Sequence, residues 1–180
     1  MKVPIPKGTS LLSIVIIGAA LTLLGISGAW AQQKHQVSFK NPGENTKYTE
    51  QHAMDVGDVP GHQVRSYEIY RTFPTNAPVI NGIKLKEIWG RGVSDYIDYN
   101  GTATQYNVYI LENGDKFFSR TTVLAHSVGS GQFNNMSVGY ITGGTGKLAG
   151  IQGIIRSSGS SNPKSGFNEV QTDIEYSIGK

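Results

Sequence analysis

The sequence predicts an all-β protein, an antiparallel up-and-down barrel of about eight strands, set behind a cleaved N-terminal leader. Three observations carry this. Beyond residue 31 apolar and polar residues alternate with period two, and no long segment has helical periodicity. Gly, Asn, Asp, Pro and Ser punctuate those runs at hairpin spacing. Two Asn-Gly pairs, Asn100-Gly101 and Asn113-Gly114, stand at the ends of strand-like runs, where tight turns need positive φ.

The leader is read from the order of its parts. Lys2 and Lys7 form a positive start, Leu11 to Ile26 is mostly apolar, and Ala29-Trp30-Ala31 supplies small residues at a cleavage site. Cleavage after Ala31 is expected, and with it a secreted or periplasmic location. The expected organisation is a signal peptide over 1–31, an N-terminal extension with a short strand and a loop over 32–60, and the barrel over 61–180. Removing the leader takes two of the 16 basic residues and lowers the formal net charge of +3 by two. No basic block remains to suggest nucleic acid, and no membrane contact is expected after cleavage. The chain has no cysteine, which excludes disulfides, thiolate metal sites and cysteine nucleophiles. Asn100-Gly101-Thr102 and Asn135-Met136-Ser137 match the glycosylation pattern, which matters only in a eukaryotic secretory route.

Strands follow in order. Val37–Phe39 or Tyr48–Met54 supplies an early one. Val64 to Phe73 alternates, with Tyr67, Ile69 and Phe73 on one face, and Pro74 to Asn81 reads as a loop. Ile83 to Tyr99 is long for one strand, so Gly90 and Gly92 are expected to mark a bend or bulge. Thr102 to Leu111 and Lys116 to Val128 complete a meander around the two Asn-Gly turns. Phe133 to Thr142 and Ile151 to Ser158 are further strands, and Ser157 to Gly166 reads as a flexible loop. Val170 to Ile178 closes the chain with Val170, Thr172, Ile174, Tyr176 and Ile178 on an apolar face.

The run Gly143-Gly144-Thr145-Gly146-Lys147-Leu148-Ala149-Gly150 invites a nucleotide-binding reading that fails. Ile141 stands where a Walker loop needs glycine, Leu148 where it needs Ser or Thr, and no helix pattern follows. No cofactor is expected. Tyr140 to Gly153 instead resembles the stretch in allene oxide cyclases where a strand runs into Thr-Gly-Gly-Ser/Thr-Gly and spaced glycines. Dirigent proteins share the Gly-Gly-Thr-Gly core, but Ile151-Gln152-Gly153 replaces their usual Ala-Arg-Gly. Val64 to Ile69 is a weaker echo of an early cyclase strand. The resemblance implies an eight-stranded barrel with a hydrophobic cavity, often trimeric. In it Gly143, Gly144, Gly146 and Gly150 form a structural corner. A shared corner speaks for fold and little for reaction.

Glu87, Trp89 and Arg91 would share one face with Leu85 and Val93 in an unbroken strand, opposite Lys84 and Lys86. An ion pair around a Trp inside a barrel is therefore expected as a ligand site, unless a bulge at Gly90 turns Arg91 outward. Either Tyr106 or Asn107 would line the cavity. His52, Asp55, Asp58 and His62 have metal-ligating chemistry, but Gly57, Pro60 and Gly61 break the helix that would gather them, so no metal is expected. His126 has no Ser partner on a nucleophile elbow. Two functions follow: a barrel binding a small apolar ligand or a partner, or a cofactor-free cyclase or isomerase acting on an unsaturated lipid-like or phenolic substrate.

Overall fold

The computed structural model describes residues 33–179, so the expected signal peptide lies outside the described residues. Ten strands make one antiparallel sheet: β1 (His35–Asn41), β2 (Thr46–Asp55), β3 (His62–Thr72), β4 (Val79–Ile80), β5 (Ile83–Ile97), β6 (Asn100–Leu111), β7 (Lys116–Gly129), β8 (Gln132–Gly144), β9 (Ile151–Asn162) and β10 (Phe167–Ile178). Two single 3-10 turns, Gly43–Asn45 and Gly146–Leu148, are the only helical pieces among the described residues.

The main ladder runs β1-β10-β9-β8-β7-β6-β5-β3-β2, with β4 against the start of β5. It is a path with two ends and not a closed ring of hydrogen bonds. Side chains nevertheless meet across the gap. Gln51 of β2 donates to the Pro163 carbonyl at 3.3 Å, and Asn168 of β10 donates to the Tyr48 hydroxyl of β2 at 3.5 Å. The twist native to long strands rolls the sheet until its two ends face each other.

Rolling gives the sheet an inner face, and period-two alternation decides who occupies it. Val170, Thr172, Ile174 and Tyr176 of β10 are buried as the sequence implies. Two apolar clusters fill the interior at opposite ends of the strands. One gathers Ile80, Leu85, Ile88, Leu111, Phe117, Leu148, Ile151 and Ile174. The other gathers Tyr96, Ala103, Val123, Ala125 and Phe133.

Several expectations are corrected. Residues 32–60 are not an extension around one short strand, because β1 pairs with β10 and β2 with β3 in the same sheet. The hairpin between β5 and β6 exists, but Asp98 (φ 50°) and Tyr99 (φ 65°) hold its two turn positions, while Asn100 and Gly101 begin the next strand. Asn100 closes that turn from its flank, donating to the Asp98 carbonyl at 3.1 Å. Residues 157–162 belong to β9 rather than to a loop, since Ser157 and Ser161 turn inward opposite Thr172 and Asn168. The bulge in β5 falls at Lys86, where the register against β6 slips between Leu85 and Glu87, and pairing across Gly90 and Gly92 is continuous.

Candidate functional site

The slip at Lys86 decides the fate of the expected site. An extra residue in one strand turns every later side chain to the opposite face. Leu85 is therefore buried inside, and so is Ile88, but Glu87, Trp89, Arg91 and Val93 all lie on the outer face. Glu87 and Arg91 do not lean on each other. Glu87 accepts from the Tyr70 hydroxyl at 2.9 Å, and Arg91 pairs with Glu68 at 2.6 Å while its guanidinium stands 5.6 Å from the Trp89 ring centre. The Tyr70 and Trp89 rings pack with centroids 4.4 Å apart, tilted by 36°. Arg91 and its cross-strand neighbour Tyr106 border an outer groove of about 500 Å³, with Glu50, His52 and Arg120. Tyr106 thus faces out, and Asn107 is the one residue of the expected set that faces the interior.

Between the two apolar clusters the interior is polar. Inward positions there carry Arg65, Tyr67 and Arg71 on β3, Gln105 and Asn107 on β6, and Ser119 and Thr121 on β7. Asn135 and Ser137 on β8, Ser157 and Ser161 on β9, and Asn168 and Thr172 on β10 complete the belt. Most of these line a cavity of about 60 Å³. That is room for roughly four or five water-sized groups. Gly92 makes space for the belt: a Cβ there would press on the Tyr67 hydroxyl.

Buried polar groups are tolerated when paired, and here they are paired in two chains. In the first, the Tyr67 hydroxyl donates to Gln105 Oε1 (3.1 Å), Gln105 Nε2 to Asn107 Oδ1 (2.6 Å), and Asn107 Nδ2 to Ser119 Oγ (3.1 Å). In the second, Arg71 Nη2 donates to Asn168 Oδ1 (2.9 Å), and both Asn168 Nδ2 (2.8 Å) and Asn135 Nδ2 (3.1 Å) donate to Ser161 Oγ. Arg71 is only 5% exposed, and no carboxylate stands among the cavity-lining residues. Its Nε and both polar atoms of the Asn41 side chain are buried without a partner.

Burial sets the protonation behaviour. Loss of water pushes the Tyr96 phenol up to about 12, and pushes the Tyr67 and Tyr109 phenols up as well, so all three stay neutral. The same desolvation lowers the Arg71 guanidinium, with the tyrosines around it opposing. A guanidinium starts so high that it remains charged. At the mouth Arg65 lies against the Tyr48 and Tyr67 rings at 5.7 and 5.3 Å and donates to Gln51 Oε1 at 2.9 Å.

Of the His and Asp group at 52–62, His62 bonds Asp58 (2.6 Å) and Asp95 (2.7 Å), bracing the β2–β3 turn against β5. Among the described residues no group of three His, Cys, Asp or Glu is arranged to hold a metal. Gly143 and Gly144 end β8, Gly146 opens the 3-10 turn that follows, and Gly150 stands between that turn and β9. At Gly146 (φ +55°) a Cβ would overlap the Asp115 carboxylate.

Arg71 was readable in the sequence but not singled out. It shares its parity with Tyr67, Ile69 and Phe73, so the alternation that turned those three inward turned Arg71 inward too. No family model matches the chain, and no curated protein matches it either.

Proposed function

We propose that this protein is an exported β-barrel-type binding protein that holds a small polar ligand in the midsection of its rolled sheet. The observation that carries the reading is the polar belt itself: hydrogen-bonding side chains from six strands surround one small cavity between two apolar clusters. Polar interiors cost stability relative to apolar packing, and such costs concentrate where a site is needed. The lining and the volume of about 60 Å³ favour a small polar ligand over the apolar one expected from the sequence.

The resemblance over 140–153 supports a barrel of the allene oxide cyclase type, although with nine strands in its ladder where that family has eight. The hydrogen bond from Asn168 of β10 to the Tyr48 hydroxyl of β2 agrees with closure of the sheet. The resemblance also supports a homo-oligomer, in keeping with Leu124, Met136, Val138 and Tyr140 exposed together on the outer face of β7 and β8. Export rests on the leader pattern alone. A cofactor-free isomerase is the second reading, favoured by the neutral phenols of Tyr67, Tyr96 and Tyr109 facing the interior, which can donate hydrogen bonds to a substrate although their raised pKa values make them weak acids. It stands behind the binding reading because a lipid-like substrate needs several times the space present.

The test is a backbone amide NMR spectrum of the purified protein, titrated with small polar probes such as acetamide and acetate. Shifts confined to inward positions (Asn107, Ser119, Ser157 and Ser161) are expected. Shifts confined to the outer groove around Arg91 and Tyr106 would overturn the interior site.

A further inference from the structure

We propose that the interior site takes a small carboxylate, one negative charge on a body of about four or five heavy atoms, held against the Arg71 guanidinium. This rests on the interior-binding reading above and names the ligand's chemistry.

The argument begins with charge. Removing a cation from water is costly unless an anion or a full set of acceptors replaces the water. Arg71 has one neutral acceptor, Asn168 Oδ1, and its Nε–H has none. Every other residue lining the cavity is neutral except Arg65, which is a second cation and stands at the mouth. The enclosed space therefore carries positive charge with no counter-ion among the described residues that line it. A carboxylate supplies both missing items, since guanidinium and carboxylate match in geometry and each strengthens the other's hydrogen bonds.

Size and walls narrow the class. About 60 Å³ admits an acetate-sized ligand and excludes a fatty acid or a nucleotide. One deep guanidinium balances one charge, which favours a monoanion over a phosphate dianion. The amides and hydroxyls of the belt can satisfy the remaining oxygen lone pairs. Ile69, Ile88, Ile155 and Val170 line the same space and would face a short alkyl substituent. Arg65, held between Tyr48 and Tyr67, adds positive potential at the approach.

A structural role for Arg71 predicts different behaviour from a binding role, and Asn168→Asp separates them. That substitution sets a carboxylate where Arg71 Nη2 already donates, giving the guanidinium an internal counter-ion and keeping the contact between β3 and β10. The purified protein and this variant are titrated at constant ionic strength with acetate, acetamide, nitrate, phosphate and chloride, read by amide NMR shifts and by melting temperature.

The expected result is saturable acetate binding to the parent, with inward-residue shifts and a rise in melting temperature. Asn168→Asp should fold at least as stably and bind acetate at least about tenfold more weakly, because its own carboxylate competes for Arg71. Acetamide, the neutral isostere, should bind the parent more weakly than acetate. Equal acetate responses in parent and variant would mean a generic salt effect and overturn the proposal. Preference for phosphate over acetate would also overturn it. If acetamide perturbs the inward residues as strongly as acetate, interior binding stands and the carboxylate claim falls. If neither probe reaches those residues, water is the occupant and both readings fall.

Discussion

Arg71 and Asn168, one on β3 and the other on β10, join the two sides of the rolled sheet through a single buried hydrogen bond of 2.9 Å. The backbone ladder has an open seam between these sides, so the side chains supply what the peptide groups do not. Asn168→Ala should leave the guanidinium with no protein acceptor for Nη2. A hydrogen bond to a charged group contributes about 1.5–3 kcal/mol, and urea denaturation should show a loss of that size. A loss below about 0.5 kcal/mol would mean that water or Tyr48 replaces the contact at no cost.

His62 should make the β2–β3 turn sensitive to pH. Hydrogen bonds to Asp95 first and to Asp58 second hold its imidazole protonated above the ordinary 6.5, against a smaller effect of burial. The folded value lies above the unfolded one, so the stabilisation is complete below pH 6.5 and fades as pH rises through the folded value. Asp58 is held below its ordinary 3.8, chiefly by the Val59 N–H and then by His62, so its contribution fades only as pH falls through that lowered value. Amide protection across residues 56–61, taken relative to the intrinsic exchange rate at each pH, should be greatest between those limits and fall toward alkaline pH. His62→Gln should flatten the profile. An NMR titration placing the His62 imidazole at or below 6.5 would contradict the bracing geometry.

Which parts of this fold were legible depends on how each residue type signals its side. β10 read cleanly because Val170, Ile174 and Tyr176 alternate with Gln171, Asp173 and Glu175, and an apolar interior end asks for nothing else. The Ser-rich end of β9 misread as a loop because Ser and Gly are turn signals when solvated. Here Ser157 and Ser161 face a polar interior, which propensity alone does not anticipate. Arg71 went unremarked for the same reason, since arginine is by default an outside residue. Asn100-Gly101 announced its hairpin correctly but misplaced the turn by two residues. Asn100 serves from the flank, bonding the Asp98 carbonyl and accepting from the Ser127 N–H at 2.9 Å.

The outer placement of Arg91 reverses the expected cost of losing it. Its side chain is 57% exposed and its partner Glu68 lines the same groove. Exposed pairs contribute about 0–1 kcal/mol, so Arg91→Ala should unfold in urea within about 1 kcal/mol of the parent. The inward geometry read from unbroken alternation would have cost about 3–5 kcal/mol, because an unpaired carboxylate would be left buried. A loss in that upper range would require Glu87 and Arg91 to be inside after all.

Gly146 should resist replacement for two reasons that act together. Its φ of +55° is strained for a β-branched residue, and the space beside its Cα is taken by the Asp115 carboxylate. That carboxylate is not free to leave, since it accepts from the Lys147 N–H at 3.0 Å and from Asn113 Nδ2 at 2.7 Å. Gly146→Val should cost about 2 kcal/mol or more in chemical denaturation, from backbone strain and the lost turn contacts combined. A neutral substitution would show that this turn can relax away from β7.

Lys86 offers the most direct test of how the interior is specified. It is the extra residue that lets Leu85 and Ile88, three positions apart, both face inward on one strand. Leu85 is fully buried and Ile88 nearly so, whereas the Lys86 side chain is exposed and makes no hydrogen bond or ion pair among the described residues. Lys86→Ala removes a solvated side chain and keeps the bulge, so its effect should stay within about 0.5 kcal/mol. Deleting Lys86 tests the bulge itself. The deletion leaves Leu85 and Ile88 two positions apart, so regular alternation keeps both inside and keeps Glu87, Trp89 and Arg91 outside. β5 should then pair with β6 without a slip, and the deletion should cost no more than about 1–2 kcal/mol in urea, from rearrangement at the strand start where β4 pairs. A loss of about 4 kcal/mol or more would show that the extra twist a bulge gives β5 is itself needed for the sheet to roll.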